Sequence, residues 1–499
     1  MMRPRRCPPR STDTRSTGRA ALVAGVLAGL CTVAVAGRSQ VWLVAGLPTA
    51  ATPAGVVEAP LLTAADQFRS AGVAVQVLLA DPSVEGRGRT SAAGAAWQPL
   101  ARVFGQNEAP QPPRRLPSGA AASVSAVGMR ADALTAQLSR QWSALGTADR
   151  GLLVYEGPRG PAAEQTAEAA LHLREGTQLT AADLEALATR APAAAPLRFL
   201  FSQCQSAGLL RLMRPGARDE RGLTPYNRCG FATESLRRQE VAGACGPQSS
   251  TPVDPARTYT ANFLAALTGR EPDGSALPRM ADRDGDRTIS LHEAHLHALL
   301  ESDDGDLPRA TSEVYLERWQ PLWLRYADTT SEVDNLYGRL ASTLAERLRL
   351  PPRGRALVNA LQTRQAELQG RLERQQQMIT GLEERIQHGQ DTIRRALLER
   401  WPDAAHPHTA AYARFLASDL AAAQAFITGH AAYATLVNDQ ERRVRLIEDN
   451  AAAERAQARL AKVLRLRQLA RLLDQFEQHA SAQHRRDYQR LTRCENTPL

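Results

Sequence analysis

Lysine is almost missing from this chain: Lys462 is the only one among 61 basic residues. Base composition accounts for that bias without any selected use of guanidinium. Aromatic residues are scarce at 5%, yet hydrophobic residues reach 43% and charged ones 23%, which excludes wholesale disorder. The net charge of +9 is not concentrated where a nucleic-acid domain would need it. Residues 1–36 hold +5 and residues 331–499 hold +6, so 37–330 are left at −2. With no basic face to build in that middle region, nucleic acid is excluded as a partner. After residue 36 no apolar run reaches the length of a membrane span, so a later spanning helix is excluded as well.

What stands at the start is an export signal. Arg3, Arg5, Arg6, Arg10, Arg15 and Arg19 precede an apolar stretch from Ala20 to Ala36 that ends in Ala34-Val35-Ala36. Positive charge, a short apolar run and small residues before a cleavage point define a secretory signal. The alternative is an uncleaved anchor, the only route by which the protein would touch a membrane. Leu30 before Cys31 does not fit a lipoprotein site. The expected location is outside the cytoplasm, periplasmic or secreted. In an oxidising compartment Cys229 and Cys245, 16 residues apart in a Gly-rich segment, are expected to form a disulfide. Cys494 is expected near a mobile C-terminus.

The organisation expected along the chain is a signal over 1–36, a Pro/Ala-rich linker over 37–64, and an α/β domain over 65–270. A calcium loop with helices follows over 271–330, and a helical region over 331–499. Val73–Leu79, Leu152–Tyr155 and Leu197–Phe201 are short apolar runs with turn residues at their ends, the pattern of buried parallel strands. Residues 130–145 read as an amphipathic helix, and Thr180-Ala-Ala-Asp183 as a capped helix start. Strand, helix, strand at this spacing gives a mostly parallel sheet flanked by helices. Beyond 331, Leu368, Leu372, Ile379, Leu382, Ile386 and Ile393 keep a/d-like spacing with Gln375 interrupting. Trp401-Pro402 ends that helix, and Leu466, Leu469, Leu473 and Phe476 mark a second arm. Together they predict an antiparallel helical hairpin or short coiled coil, which packs on itself or offers its surface to a protein or peptide partner.

The first constellation with chemistry is Phe201-Ser-Gln-Cys204-Gln-Ser206-Ala-Gly208, in which an apolar strand delivers a thiol at its C-terminal end. In an open α/β sheet that end is where sites form. A cysteine there becomes a nucleophile if a base is close. The arrangement resembles the caspase–legumain superfamily of cysteine peptidases, with their Gln- or Glu-containing strand end followed by Cys, Ser and Gly. The resemblance covers about 65–330 and implies a caspase-like α/β fold with Cys204 as nucleophile. It also implies a catalytic His after the preceding strand, about 50 residues upstream. The matching segment is Leu152–Gly160, and it contains no His: Pro158 or Arg159 stands in its place. His172, the nearest alternative, is expected inside a helix. Arg159 could lower the thiol pKa but cannot shuttle a proton. The resemblance thus implies a catalytically impaired homologue serving as a binding or scaffold unit. The alternative is an active cysteine endopeptidase with another base. In a third reading Cys204 is only a small buried hydrophobe. Arg228–Thr233 with Ala242–Cys245 also resembles a loop that borders the cleft in secreted bacterial members.

The second constellation is Asp282-Arg-Asp284-Gly-Asp286-Arg-Thr288-Ile-Ser290-Leu-His-Glu293, which is similar to the calcium loop of the EF-hand family. Asp282, Asp284, Asp286, the carbonyl of Thr288 and Glu293 would supply the oxygens that Ca²⁺ requires. Arg287 occupies the position where that loop needs Gly and a left-handed backbone, at a cost of about 1 kcal/mol. A solvated acidic turn is the alternative. Helices are expected at Tyr259–Thr268 and Leu291–Leu300. His292, His295 and His297 suggest zinc but have no fourth ligand, and they are expected to be surface or internally satisfied histidines.

Overall fold

Strands β1 (Ser39–Ala45), β2 (Ala74–Leu79), β3 (Val124–Ser125) and β4 (Arg150–Glu156) join β7 (Leu197–Ser202), β8 (Arg228–Ser235) and β9 (Asp306–Ala310) in one sheet. The order is β3-β2-β1-β4-β7-β8-β9. Every pair is parallel except β8 with β9. Two short strands, β5 (Ala170–His172) and β6 (Gln178–Thr180), form a separate antiparallel hairpin. The structure is a computed structural model. It describes residues 37–46, 54–79, 92–104, 124–125, 130–157, 169–203, 206–235, 255–277, 281–303, 305–321, 332–405 and 409–499. The expected signal, Cys204 and Cys245 lie outside the described residues.

Both faces of the sheet are covered, as expected for strands that read as continuous apolar runs. On one face Trp42, Leu153, Phe199 and Phe201 pack against α3 (Ala131–Ser143), α4 (Ala181–Ala188) and the β5–β6 hairpin. On the other, Val41, Leu43, Leu152, Val154 and Leu200 pack against α1 (Ala54–Ser70), α5 (Tyr259–Thr268) and α6 (Leu291–Glu301). The expected α/β class with a mostly parallel sheet is the one observed. Helix α4 starts as read, with Thr180 and Asp183 closing a reciprocal capping box.

The expected linker over 37–64 is a correction. Its first part is β1, paired in register with β2 on one side and β4 on the other, so it is an interior strand. The run Val41–Ala45 is fully buried. The Pro48–Pro53 segment that follows it in sequence disguised an apolar strand as part of a spacer.

The helical region follows. Helices α7 (Thr311–Trp319) and α8 (Leu336–Arg347) lead into α9 (Gly354–Arg400), α10 (Ala410–Ser418), α11 (Leu420–Gly429), α12 (Tyr433–His479) and α13 (Ala482–Glu495). As read, α9 ends where Trp401-Pro402 interrupts it, and it runs antiparallel to α12. Arg385 pairs with Asp439, and Arg443 with Glu383. That register sets Gln375 level with Asn450. Both are buried, and a side-chain oxygen of each has no partner among the described residues. They form a polar layer between two apolar clusters, one holding Leu357, Leu361 and Leu469, the other Leu382, Ile386 and Leu436.

Helix α2 (Ala92–Phe104) lies between β2 and β3 in sequence yet packs on the hairpin rather than on the sheet. Leu100 and Val103 join the cluster of Ile393, Leu397 and Ile427, and Gln390 and Gln440 both donate to the Arg102 carbonyl, at 2.7 and 3.0 Å. Residues 37–499 form one compact unit. Among the described residues no single helix is long and apolar enough to cross a membrane.

Candidate functional site

The C-terminal edge of β4 and β7 builds the first site. These strands are adjacent and parallel, with Glu156 opposite Ser202, and the Gly157 N–H donates to the Ser202 carbonyl at 2.8 Å. Gly157 and Ser202 therefore lie side by side at the described ends of the two strands, while Pro158, Arg159, Gly160 and Cys204 lie outside the described residues. Gln203 is buried, and its Nε2 donates to the Ala170 carbonyl at 2.6 Å, while its Oε1 has no partner among the described residues. Ser206 Oγ donates toward the carbonyls of Phe201 and Thr233 and accepts from the Thr233 N–H. Ser206 is thus fixed to β8 and Gln203 to the β5–β6 hairpin.

That hairpin corrects the position of His172. The segment expected to be helical is β5, and His172 is its last residue. The buried Tyr155 hydroxyl donates to the His172 carbonyl at 2.8 Å and accepts from its N–H at 3.1 Å. Burial lowers the imidazole pKa, which favours the neutral ring. Glu156, fully buried at the end of β4, accepts from Thr260 Oγ1 on α5.

The second site is the loop before α6. Oxygens of Asp282, Asp284 and Glu293 converge to within 4.8 Å of one another. The loop's own N–H groups hold those carboxylates. Gly285 and Arg287 donate to Asp282, and Arg283 donates to Glu293 Oε1 at 2.6 Å. The other oxygen of Glu293 closes a capping box on Ser290, which starts α6. Arg287 has φ +69°, the left-handed backbone expected at that position. Asp286 stays outside the cluster, because its carboxylate accepts from the Thr288 N–H and hydroxyl, both at 2.7 Å. Three convergent carboxylates on a loop of this kind suit a hard divalent cation.

The disulfide expectation is corrected. Cys229 is bonded to Cys494 across 265 residues of sequence, with Cα atoms 5.9 Å apart. A thiol forms one disulfide, so the Cys229–Cys245 pairing is excluded here. Cys494 lies buried near the end of α13, and that helix packs on the sheet and α7, so it is no mobile tail.

A buried polar network went unread in the sequence. Tyr259 and His295 Nδ1 share a hydrogen bond of 2.7 Å, and His295 Nε2 lies 3.2 Å from Glu313, so His295 is a satisfied core histidine. Glu313 also accepts from the Ala310 N–H at 3.0 Å and pairs with Arg465 of α12 at 2.9 Å. Burial alone would raise the Glu313 carboxyl, but Arg465 and His295 hold it below the usual carboxylate range. Residues 259, 295, 313 and 465 share no local pattern, so no sequence signal could have joined them.

No protein-family model matches the chain, and no curated protein matches it in sequence.

Proposed function

We propose that this is an exported, calcium-binding protein built on a caspase-like domain, a catalytically impaired peptidase homologue that serves as a binding or scaffold module. The observation that carries this reading is the pairing of β4 with β7. It sets Gly157 beside Ser202, two residues before Cys204 in sequence, and the residues that follow Gly157 in sequence, Pro158-Arg159-Gly160, offer no base. The Cys229–Cys494 disulfide supports an oxidising compartment. The carboxylates of Asp282, Asp284 and Glu293 support the calcium reading, and the ion would neutralise their mutual repulsion at the start of α6. Contacts with a protein or peptide partner fall to the outer faces of α9 and α12.

The test is purified protein with an electrophilic peptide probe and a panel of peptide substrates, with and without millimolar Ca²⁺. No turnover is expected, and Cys204 should label no faster than a free thiol. Fast labelling that vanishes in Cys204→Ala would overturn the impaired reading.

One observation favours the second reading, an active cysteine endopeptidase. The hairpin carrying His172 is bonded both to Tyr155 of β4 and to Gln203 beside the nucleophile. A His172→Ala variant that abolished fast labelling would identify that ring as the base.

A further inference from the structure

The N-terminal end of β7 holds a charge that has no counter-charge among the described residues. Arg198, the second residue of β7, is fully buried, and none of its three guanidinium nitrogens has a hydrogen-bond partner among the described residues. By strand alternation it lies on the same face as Leu200, across from Leu152 of β4 and Cys229 of β8. Arg150 opens β4 at that same end, and its Nη1 donates to the Pro498 carbonyl at 3.2 Å. Among the described residues no carboxylate lies within ion-pair distance of either arginine.

We propose that Arg198 and Arg150 form a binding site for a small oxyanion or carboxylate, closed over by the segment after Cys494. A guanidinium stays protonated at any physiological pH, and one taken out of water without a counter-charge is strongly destabilising. Burial and the neighbouring Arg150 charge push Arg198 down to about 9, which shows how unfavourable the empty arrangement is. Acids on the adjacent elements are already committed. Glu495 accepts from Thr311 and Ser312, and Glu293 from Arg283 and Ser290. The covering segment is itself anchored, by the Cys229–Cys494 bond and by the bridge between Ser290 and Pro498. A guanidinium fork matches the bidentate geometry of carboxylate, phosphate and sulfate.

The experiment is thermal unfolding of the full chain in a buffer of large organic ions, titrated separately with phosphate, sulfate and acetate at constant ionic strength. Wild type should gain stability saturably with at least one of them. Arg198→Met should be more stable than wild type without added anion and should lose the dependence. Arg150→Met, at a half-buried position, keeps the proposal testable if Arg198→Met does not fold, and should weaken the apparent affinity about tenfold. An equal gain in wild type and variants, or none in wild type, overturns the proposal. A third arm separates the sources of the charge by extending the chain past Leu499 with a neutral Gly-Ser tail. Anion dependence seen only in the extended chain would assign the counter-charge to a main-chain carboxylate and overturn a free ligand.

Discussion

Lys462 of α12 donates its ammonium to Ser302 twice, to the carbonyl at 3.1 Å and to the hydroxyl at 2.9 Å. Ser302 caps the C-terminus of α6, where carbonyls are left without helical partners and positive charge is favoured. Arg459, one turn before Lys462, pairs with Asp303, and Arg465, one turn after, pairs with Glu313. Lys462 and Arg459 thus grip the end of the helix that begins at the carboxylate loop, and Arg465 on the same stripe holds α7 through Glu313. Replacing Lys462 with Met should cost about 1–3 kcal/mol, because buried acceptors at the cap are left unpaired. Urea unfolding followed by circular dichroism measures it, and an unchanged midpoint would refute the assignment.

The cystine makes a sharp chemical prediction. Non-reducing peptide mapping should recover the fragment joining Cys229 to Cys494. Cys494→Ser should lower stability by roughly 5 kcal/mol on the chain-entropy estimate for so long a loop. Cys245→Ser should leave the melting temperature where it is.

In the loop before α6, Asp284→Asn keeps an acceptor for the Asp286 N–H while removing one negative charge. The affinity for Ca²⁺, read from the calcium-dependent rise in melting temperature, should fall about tenfold or more. Arg287→Gly should act in the opposite sense. Relief of the left-handed backbone, worth about 1 kcal/mol, should tighten binding several-fold.

Glu495 sets a pH dependence of stability. Burial raises its carboxyl to about 7, outweighing the bonds from Ser312 and Thr311 that favour the charged form. Its folded pKa therefore exceeds the unfolded value of about 4.3, so the folded state holds the proton more tightly. The associated stabilisation is complete below the unfolded value and is lost as pH rises toward about 7, on the order of 3 kcal/mol in all. Glu495→Gln should flatten the stability profile between pH 5 and 7. A variant with the wild-type slope would show that another group titrates there.

Much of the framework was legible. β2, β4 and β7 are apolar runs with turn residues beyond their ends, α4 carries its capping box, and the end of α9 is written in Trp401-Pro402. Arg287 was also read correctly, because the loop pattern demands a left-handed residue at one place. The rest depends on long-range pairing. β1 was merged with the Pro- and Ala-rich residues after it and stands out as a strand only through its pairing with β2 and β4, and β5 is a three-residue strand whose surroundings, not its own sequence, make it extended. Spacing favoured Cys245 as the partner of Cys229, whereas α13 carries Cys494 back to the sheet from the far end of the chain. Asp286 matches the calcium pattern by position but turns to Thr288, a rotation no sequence reports.

The excursion of α2 onto the hairpin constrains the order in which this protein can be made. A chain emerging N-terminus first presents β1, β2 and α2 early, but the surface that buries Leu100 and Val103 is synthesised some 300 residues later. The β8 cysteine likewise waits 265 residues for its partner. Such non-local closure is slow, and in the interval β2 and α2 would expose apolar surface. Holding the chain unfolded until residue 494 has been made would protect it, so folding should finish late and be aided by a holding chaperone.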